Sequence, residues 1–420
     1  MRVLFLTENF PPETNAAATR VYERARYWVT WGHDVTVITS QPNFPQGRLF
    51  PGYRNRWYQV NEMDGIRVVR VKTFMARNEG VALRTLDFLS FMVTAVAAGL
   101  FQHRPQVVVA TSPQFFAAVG GWLLAAMRRL PFVFELGDLW PASIKAVGAV
   151  RTSFALRAIE RLELFLYRRS AAVVALTSSF KEDLVSRGIP AGKIAVVING
   201  VDLPRYAPMD KDAELIASLH LQDTFVVGYI GTHGMAHALE RVLEAAEKLH
   251  DVPRVRFLFV GAGAAREALV RRAEQLQLKN VLFVPAQPKE SMPRYWSLCD
   301  VALIHLKDDE IFAGVIPSKL FEAMGMGLPV LLAAPAGEAS RIVDKEAIGI
   351  HVPAEQPQAL SDAVRGLASD AAAVRRFAEA SHRAAPLYSR QRQAEDMLKV
   401  LESVRDGKGY DAAGALHGRG

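Results

Sequence analysis

A chain of 420 residues exceeds the length at which one hydrophobic core usually stops growing, so two domains are expected. Half of the residues are apolar and 22% are charged, which excludes extended disorder, and the lone Cys299 excludes an intrachain disulfide or a thiolate metal cage. The net charge of +7 is uneven: residues 1–200 hold 24 Lys+Arg against 14 Asp+Glu, and residues 201–420 hold 26 against 29, so the first half calls for an anionic partner surface.

The chain opens on a strand-like run, Val3–Thr7, with no signal-like segment before it, which predicts a cytoplasmic protein. Further strands are predicted near 35–39, 66–71, 107–111, 132–136, 172–176 and 194–198, with helices over 18–31, 84–102, 115–129, 153–169 and 178–187. Apolar strands alternating with helices predict βαβ units and a parallel sheet covered on both faces. The turn-rich Asn199–Pro204 closes this series. A second series has strands near 225–230, 255–260, 281–284, 300–305 and 329–333. The expected domains are therefore 1–203 and 204–389, with a helix over 390–405 crossing back to the first domain and a disordered tail over 406–420.

Leu86–Phe101, LDFLSFMVTAVAAGLF, is almost wholly apolar, and as a helix would reach ~24 Å against a hydrocarbon core of ~30 Å. Arg77, Arg84 and Arg104 flank it, and Trp122–Leu124 followed by Arg128 and Arg129 repeats the pattern. Two readings stand: a helix in the interface of an anionic membrane, or a buried helix packed on the sheet.

In the first domain, Arg20 is placed either to reach a phosphate or to lie on a solvated helix face. Glu135–Pro141 follows a strand and sets Asp138 at its end, in a substrate-orienting or proton-handling role or as a helix cap. Trp140 is a candidate for stacking on a sugar or for the membrane interface. No basic helix with interleaved aromatics appears, so no nucleic-acid partner is expected. The acidic run Asp308–Glu310 admits a metal or a solvated loop, and no histidine set has zinc-ligand spacing.

Pro317–Val330, PSKLFEAMGMGLPV, is the strongest chemical signal. Pro317 suits a first helical turn, which taken alone reads more readily as a capped surface helix; in the other reading Ser318 and Lys319 would offer free backbone N–H groups and a cation to a diphosphate. Glu322, one turn later, supplies an acceptor-only carboxylate suited to a pair of ribose hydroxyls. Gly261 and Gly263, after a strand, form either a plain tight turn or a loop that lets a nucleotide approach closely.

This segment resembles the donor-site signature of the retaining GT-B glycosyltransferases (glycosyl transferases group 1, family four), in which a Glu precedes Glu-Ala-Met-Ala-x-Gly-x-Pro-Val by seven residues. Asn199–Asp202 is similar to that family's interdomain NGVD, and Val260–Gly263 to its VGxG loop. The Pro-Ser-Lys variant, Gly231–His237 and Asp138–Pro141 resemble a branch that includes N-acetyl-L-fucosamine transferases of bacterial surface-polysaccharide assembly. The resemblance implies an α/β GT-B fold, two doubly wound Rossmann-like domains facing a cleft. It also implies a donor site at Gly231, Thr232, His237, Gly261, Gly263, Pro285, Ser318, Lys319 and Glu322. The acceptor side would lie in the first domain with Asn15, on the loop Pro11–Ala17, and with Arg20 and Trp140.

Three positions depart from the family. Its first Glu falls at Gly314, its cationic pair at Thr232 and His237, and its first-domain histidine at Gly137. Lys319, His237 and the amides of Gly231 and Gly234 are then expected to carry the diphosphate. The implied reaction moves a sugar, an N-acetylhexosamine by analogy, from a UDP-sugar to a polyprenyl-diphosphate-linked acceptor at the inner face of the plasma membrane, with retention and no metal or other cofactor. The alternative is an isomerase on the same plan, similar to UDP-N-acetylglucosamine 2-epimerases.

Overall fold

The computed structural model describes residues 1–13, 15–44, 47–75, 81–112, 115–137 and 154–407. They form two compact units, Met1–Ile198 with the chain from Gln393 onward, and Asn199–Arg392.

The first unit is built on an eight-stranded sheet, β1 (Arg2–Leu6), β2 (Asp34–Ser40), β3 (Tyr58–Met63), β4 (Ile66–Val71), β5 (Val107–Thr111), β6 (Phe132–Leu136), β7 (Ala172–Ala175) and β8 (Ile194–Val196). Its order is β3-β4-β2-β1-β5-β6-β7-β8. The pairings are parallel except β3 with β4. Side chains alternate across a strand, and the continuous apolar runs feed two cores. Leu4, Leu6, Val108, Ala110, Phe132 and Phe134 face one of them, with helices α2 (Val81–Leu100), α3 (Phe115–Arg128), α4 (Phe154–Arg169) and α5 (Ser178–Ser186). Val3, Phe5, Val107, Val109 and Val133 face the other. That core is closed by α1 (Ala16–Thr30) and by Ala394, Met397, Val400, Leu401 and Val404 of the last helix, Arg390–Arg405. The Trp28 indole N–H donates to Ala394 O at 2.9 Å and ties the returning helix to α1.

Strand β3 was not anticipated: its residues are mostly exposed and their polar pattern carries no core signal. The apolar helix α2 is buried in part and exposed in part. Phe91, Ala95, Val96 and Ala98 enter the core, whereas Leu83, Leu86, Val93 and Leu100 are exposed, as is Phe101 at 84%. The window Leu83–Leu100 has the length and hydropathy of a membrane span, and a third of it is buried in the unit. Arg128 is not one of the flanking arginines free for lipid: its Nη1 donates to Gly99 O and Gln102 O, both at 2.9 Å, and caps the C-terminal end of α2.

The second unit carries six parallel strands, β9 (Phe225–Ile230), β10 (Val255–Val260), β11 (Val281–Val284), β12 (Val301–His305), β13 (Val330–Ala333) and β14 (Gly349–Val352), in the order β11-β10-β9-β12-β13-β14. The short β14 was also unanticipated. The strand order reverses direction at β9/β12, and in open α/β sheets such a reversal opens a crevice beyond the carboxyl ends. Here the pairing of β9 with β12 is recorded at Val227↔Val301 and Gly228↔Ala302, before either strand has ended.

Candidate functional site

The crevice at β9/β12 holds a cavity of ≈ 370 Å³ within the second unit. Its walls come from the loop after β9 (Gly231, Thr232, Ala236, His237), from Leu306 and Phe312 after β12, and from Pro317, Ser318, Lys319 and Glu322. Six of the predicted donor-site residues thus meet in one place: Gly231, Thr232, His237, Ser318, Lys319 and Glu322. Helix α6 (Ser318–Gly325) positions three of them. Its N-cap is Pro317 rather than the first helical residue, with backbone φ of −64° and ψ of 134°. The register places Leu320, Phe321, Ala323 and Met324 in the core and leaves Glu322 half-buried against the cavity.

Lys319 is only 7% exposed. Its Nζ donates to the Tyr229 hydroxyl at 3.0 Å, and that hydroxyl donates to Thr232 O at 2.8 Å, so the last residues of β9 hold the ammonium in place. Burial pushes this ammonium down to about 8, against the attraction of Glu322. Burial raises the Glu322 carboxyl, opposed by the Trp296 hydrogen bond (Nε1 to Oε2, 3.3 Å) and by Lys289, Lys319 and Arg390. Gly231 is required where Lys319 passes: at φ +140° a side chain there is strained, and its Cβ would lie 3.2 Å from Lys319 Cε.

The role expected of His237 is corrected. Its Nδ1 donates to His305 O at 3.2 Å, and His305 Nδ1 donates to His237 O at 2.8 Å, because a carbonyl only accepts. Burial, then the Lys319 charge, pushes the His237 imidazole down to about 4, so it is neutral at physiological pH. The committed Nδ1–H leaves a lone pair on Nε2. This ring is a hydrogen-bond acceptor and not a second cation, so among the described residues Lys319 is the one charged cation lining the cavity. Tyr229, His305 and Trp296, which hold the three site side chains, carried no sequence signal beyond buried aromatic character.

Gly261, Gly263 and Pro285 do not line the cavity. Gly261 instead packs against the first loop, its would-be Cβ 2.0 Å from Gly231 O. The acidic run 308–310 serves local structure: Asp309 accepts from the Ile311 N–H at 3.1 Å, and Asp308 N–H donates to Glu355 at 2.7 Å.

In the first unit, Asn15 caps α1 by accepting from the Ala18 N–H at 2.9 Å. Neither reading of Arg20 holds. It is buried and paired with Glu135 at 3.2 Å, and Arg24 pairs with the same carboxylate at 2.9 Å. Burial works against the Glu135 charge, but Arg24 and Arg20 win and hold its carboxyl below the usual range. The sequence pattern around α1 did not separate Arg20 from a surface position. Gly137 N–H donates to Ser112 Oγ at 2.9 Å; Asp138 and Trp140 lie outside the described residues.

Two family profiles match consecutive parts of the chain: a glycosyl transferase 4-like domain over residues 15–200 and glycosyl transferases group 1 over 210–384. A protein of Escherichia coli K12 named as a colanic acid biosynthesis glycosyl transferase, WcaI, is 27% identical over 80% of this chain and 84% of its own length. A protein of Bacillus subtilis 168 named for teichuronic acid biosynthesis, TuaH, is 30% identical over 47% of this chain and 49% of its own. Among solved structures, Anabaena HepE in complex with UDP superposes with a TM-score of 0.71 at 18% identity, covering 96% of this chain and all of that one. Sucrose-phosphate synthase of Thermosynechococcus elongatus gives 0.77 at 19%, covering 97% and 99%. These likenesses establish the GT-B fold. Both relatives are named as glycosyltransferases, which does not favour the isomerase alternative.

Proposed function

We propose that this GT-B glycosyltransferase, whose second unit matches the glycosyl transferases group 1 profile, takes a sugar, an N-acetylhexosamine, from a UDP-sugar and passes it with retention to a lipid-diphosphate-linked acceptor in bacterial polysaccharide biosynthesis. The observation carrying this reading is the buried Lys319 ammonium facing the same cavity as the Glu322 carboxylate. A buried cation stabilises the charge that develops on a departing diphosphate better than a cation in bulk solvent would. Glu322 would accept from the paired ribose hydroxyls, and the neutral His237 Nε2 from an O–H or amide N–H of the sugar. The UDP in the HepE complex supports the choice of nucleotide. In this reading the leaving diphosphate takes the acceptor's proton on the same face, and no metal takes part.

The acceptor belongs to the first unit in this proposal, at the inner face of the plasma membrane. Supporting it are the apolar exposed face of α2, extended by Leu123 and Met127 of α3, and the excess of basic residues in that half of the chain. Incubation with UDP-N-acetylglucosamine and a polyprenyl-diphosphate-linked sugar tests the whole reading. The expected result is free UDP with an elongated lipid whose new bond keeps the donor's anomeric configuration. Conversion of the donor to its 2-epimer without acceptor would overturn it.

A further inference from the structure

Lys319 alone is a sparse provision for a diphosphate, and a second cation stands one strand away. The loop after β9 and the turn after β10 are laced together: His233 N–H donates to Ala262 O at 2.9 Å, and Ala265 N–H donates to His233 O at 3.0 Å. The next residue, Arg266, opens helix α7 (Arg266–Gln275), a place where the helix dipole disfavours positive charge unless an anion is present. Its buried Nε has no hydrogen-bond partner, and no ion pair among the described residues engages its guanidinium. The turn that precedes it, Ala262–Ala264, is exposed.

The second observation is His233. Its side chain is fully buried, and neither ring nitrogen has a partner. Unpaired polar atoms at zero exposure are costly in a folded protein and mark places completed by something else. Nε2 faces Gly261, lying 3.4 Å from the position its Cβ would take. The glycines at 261 and 263, with φ of +150° and +156°, keep this surface bare backbone. Burial, then Arg266 and Lys319, pushes the imidazole down to about 4, which places the ring within the fields of both cations.

We propose that Arg266, the exposed amides of Ala262–Ala264 and the His233 ring form a second anion subsite that takes one phosphate of a diphosphate ligand. Lys319, beyond Gly231, takes the other. Arg266 thereby supplies the cation that position 232, a threonine here, does not. The proposal rests on the donor reading above for the identity of the ligand, but not for its charge. The guanidinium contacts a phosphate through paired N–H groups, a geometry that a lysine reproduces only in part.

Calorimetry of the full chain with inorganic pyrophosphate, UDP and uridine provides the test, on the wild type, Arg266→Gln and Arg266→Lys. Arg266→Gln is expected to weaken pyrophosphate and UDP by ~10-fold, the scale of one charge-assisted contact. Arg266→Lys should recover part of that loss, and uridine binding should not change. Equal pyrophosphate affinity in wild type and Arg266→Gln overturns the subsite, as does an equal loss for uridine and UDP or the absence of pyrophosphate binding to the wild type. Arg266-dependent pyrophosphate binding without affinity for UDP keeps the subsite and sinks the UDP-sugar donor reading.

Discussion

Replacing Lys319 by Met keeps the length of the side chain and removes its charge, and the consequences for stability and for binding should have opposite signs. The depression of the ammonium from 10.5 to about 8 means that keeping Lys319 charged at pH 7 costs the unliganded fold about 3 kcal/mol. The lost donor to Tyr229 returns about 1 kcal/mol of that. The net gain of about 2 kcal/mol corresponds to an unliganded melting temperature higher by ~4–8 °C. A nucleotide-sugar, by contrast, loses a charge-assisted contact, ~2–3 kcal/mol or a ~30- to 150-fold weaker Kd. Differential scanning fluorimetry with and without UDP-sugar reads both effects. A variant that melts lower while keeping its ligand shift would refute the reasoning, because Lys319 would then be a structural residue.

The same depression sets a pH profile. The folded state binds fewer protons than the unfolded one between about 8 and 10.5, so this group's contribution to stability rises with pH across that window. Binding of a UDP-sugar should do the reverse, weakening towards tenfold per unit as the pH rises above about 8. Below that the imidazoles should add no strengthening down to pH 5, because His237 and His233 are held near 4; strengthening below pH 6.5 would show that they act as cations. Glu135→Gln removes the carboxylate shared by Arg20 and Arg24, and breaking such a buried group costs ~3–5 kcal/mol, so the melting temperature should fall by ~10 °C or more without change in nucleotide affinity. Val93→Ser with Phe101→Ser removes exposed apolar side chains from α2 and its end. Sedimentation with anionic liposomes should show binding weakened at least ~10-fold at unchanged stability, since each apolar group contributes ~1.5–3 kcal/mol when buried.

The fold was legible because βαβ architecture writes itself in apolar runs: VVVAT at β5 and FVFEL at β6 are buried along their full length and read as strands without help from context. Strand β3 failed the same test because it is an exposed edge. At the site, Lys319 and Glu322 were singled out by the resemblance to the donor-site signature, because a helix start with one Lys and one Glu also suits a capped surface helix. What the sequence did not carry is the state of each group. His237 looked like a cation until it was seen to be buried beside Lys319, which lies far along the chain. Arg20 looked like a ligand for phosphate until Glu135, on another strand, was seen to hold it. Both misreadings have one cause: charge depends on neighbours brought in by topology, and spacing along the chain does not report them.

The claim that the cavity beside α6 receives a nucleotide-sugar is met most directly by a thermal-shift panel of UDP-, GDP- and dTDP-sugars on wild type and Glu322→Ala. The account predicts that a UDP-sugar stabilises the wild type, and that Glu322→Ala, having lost the carboxylate proposed to hold the ribose, abolishes most of the shift. Equal stabilisation of the two proteins by the UDP-sugar would contradict it.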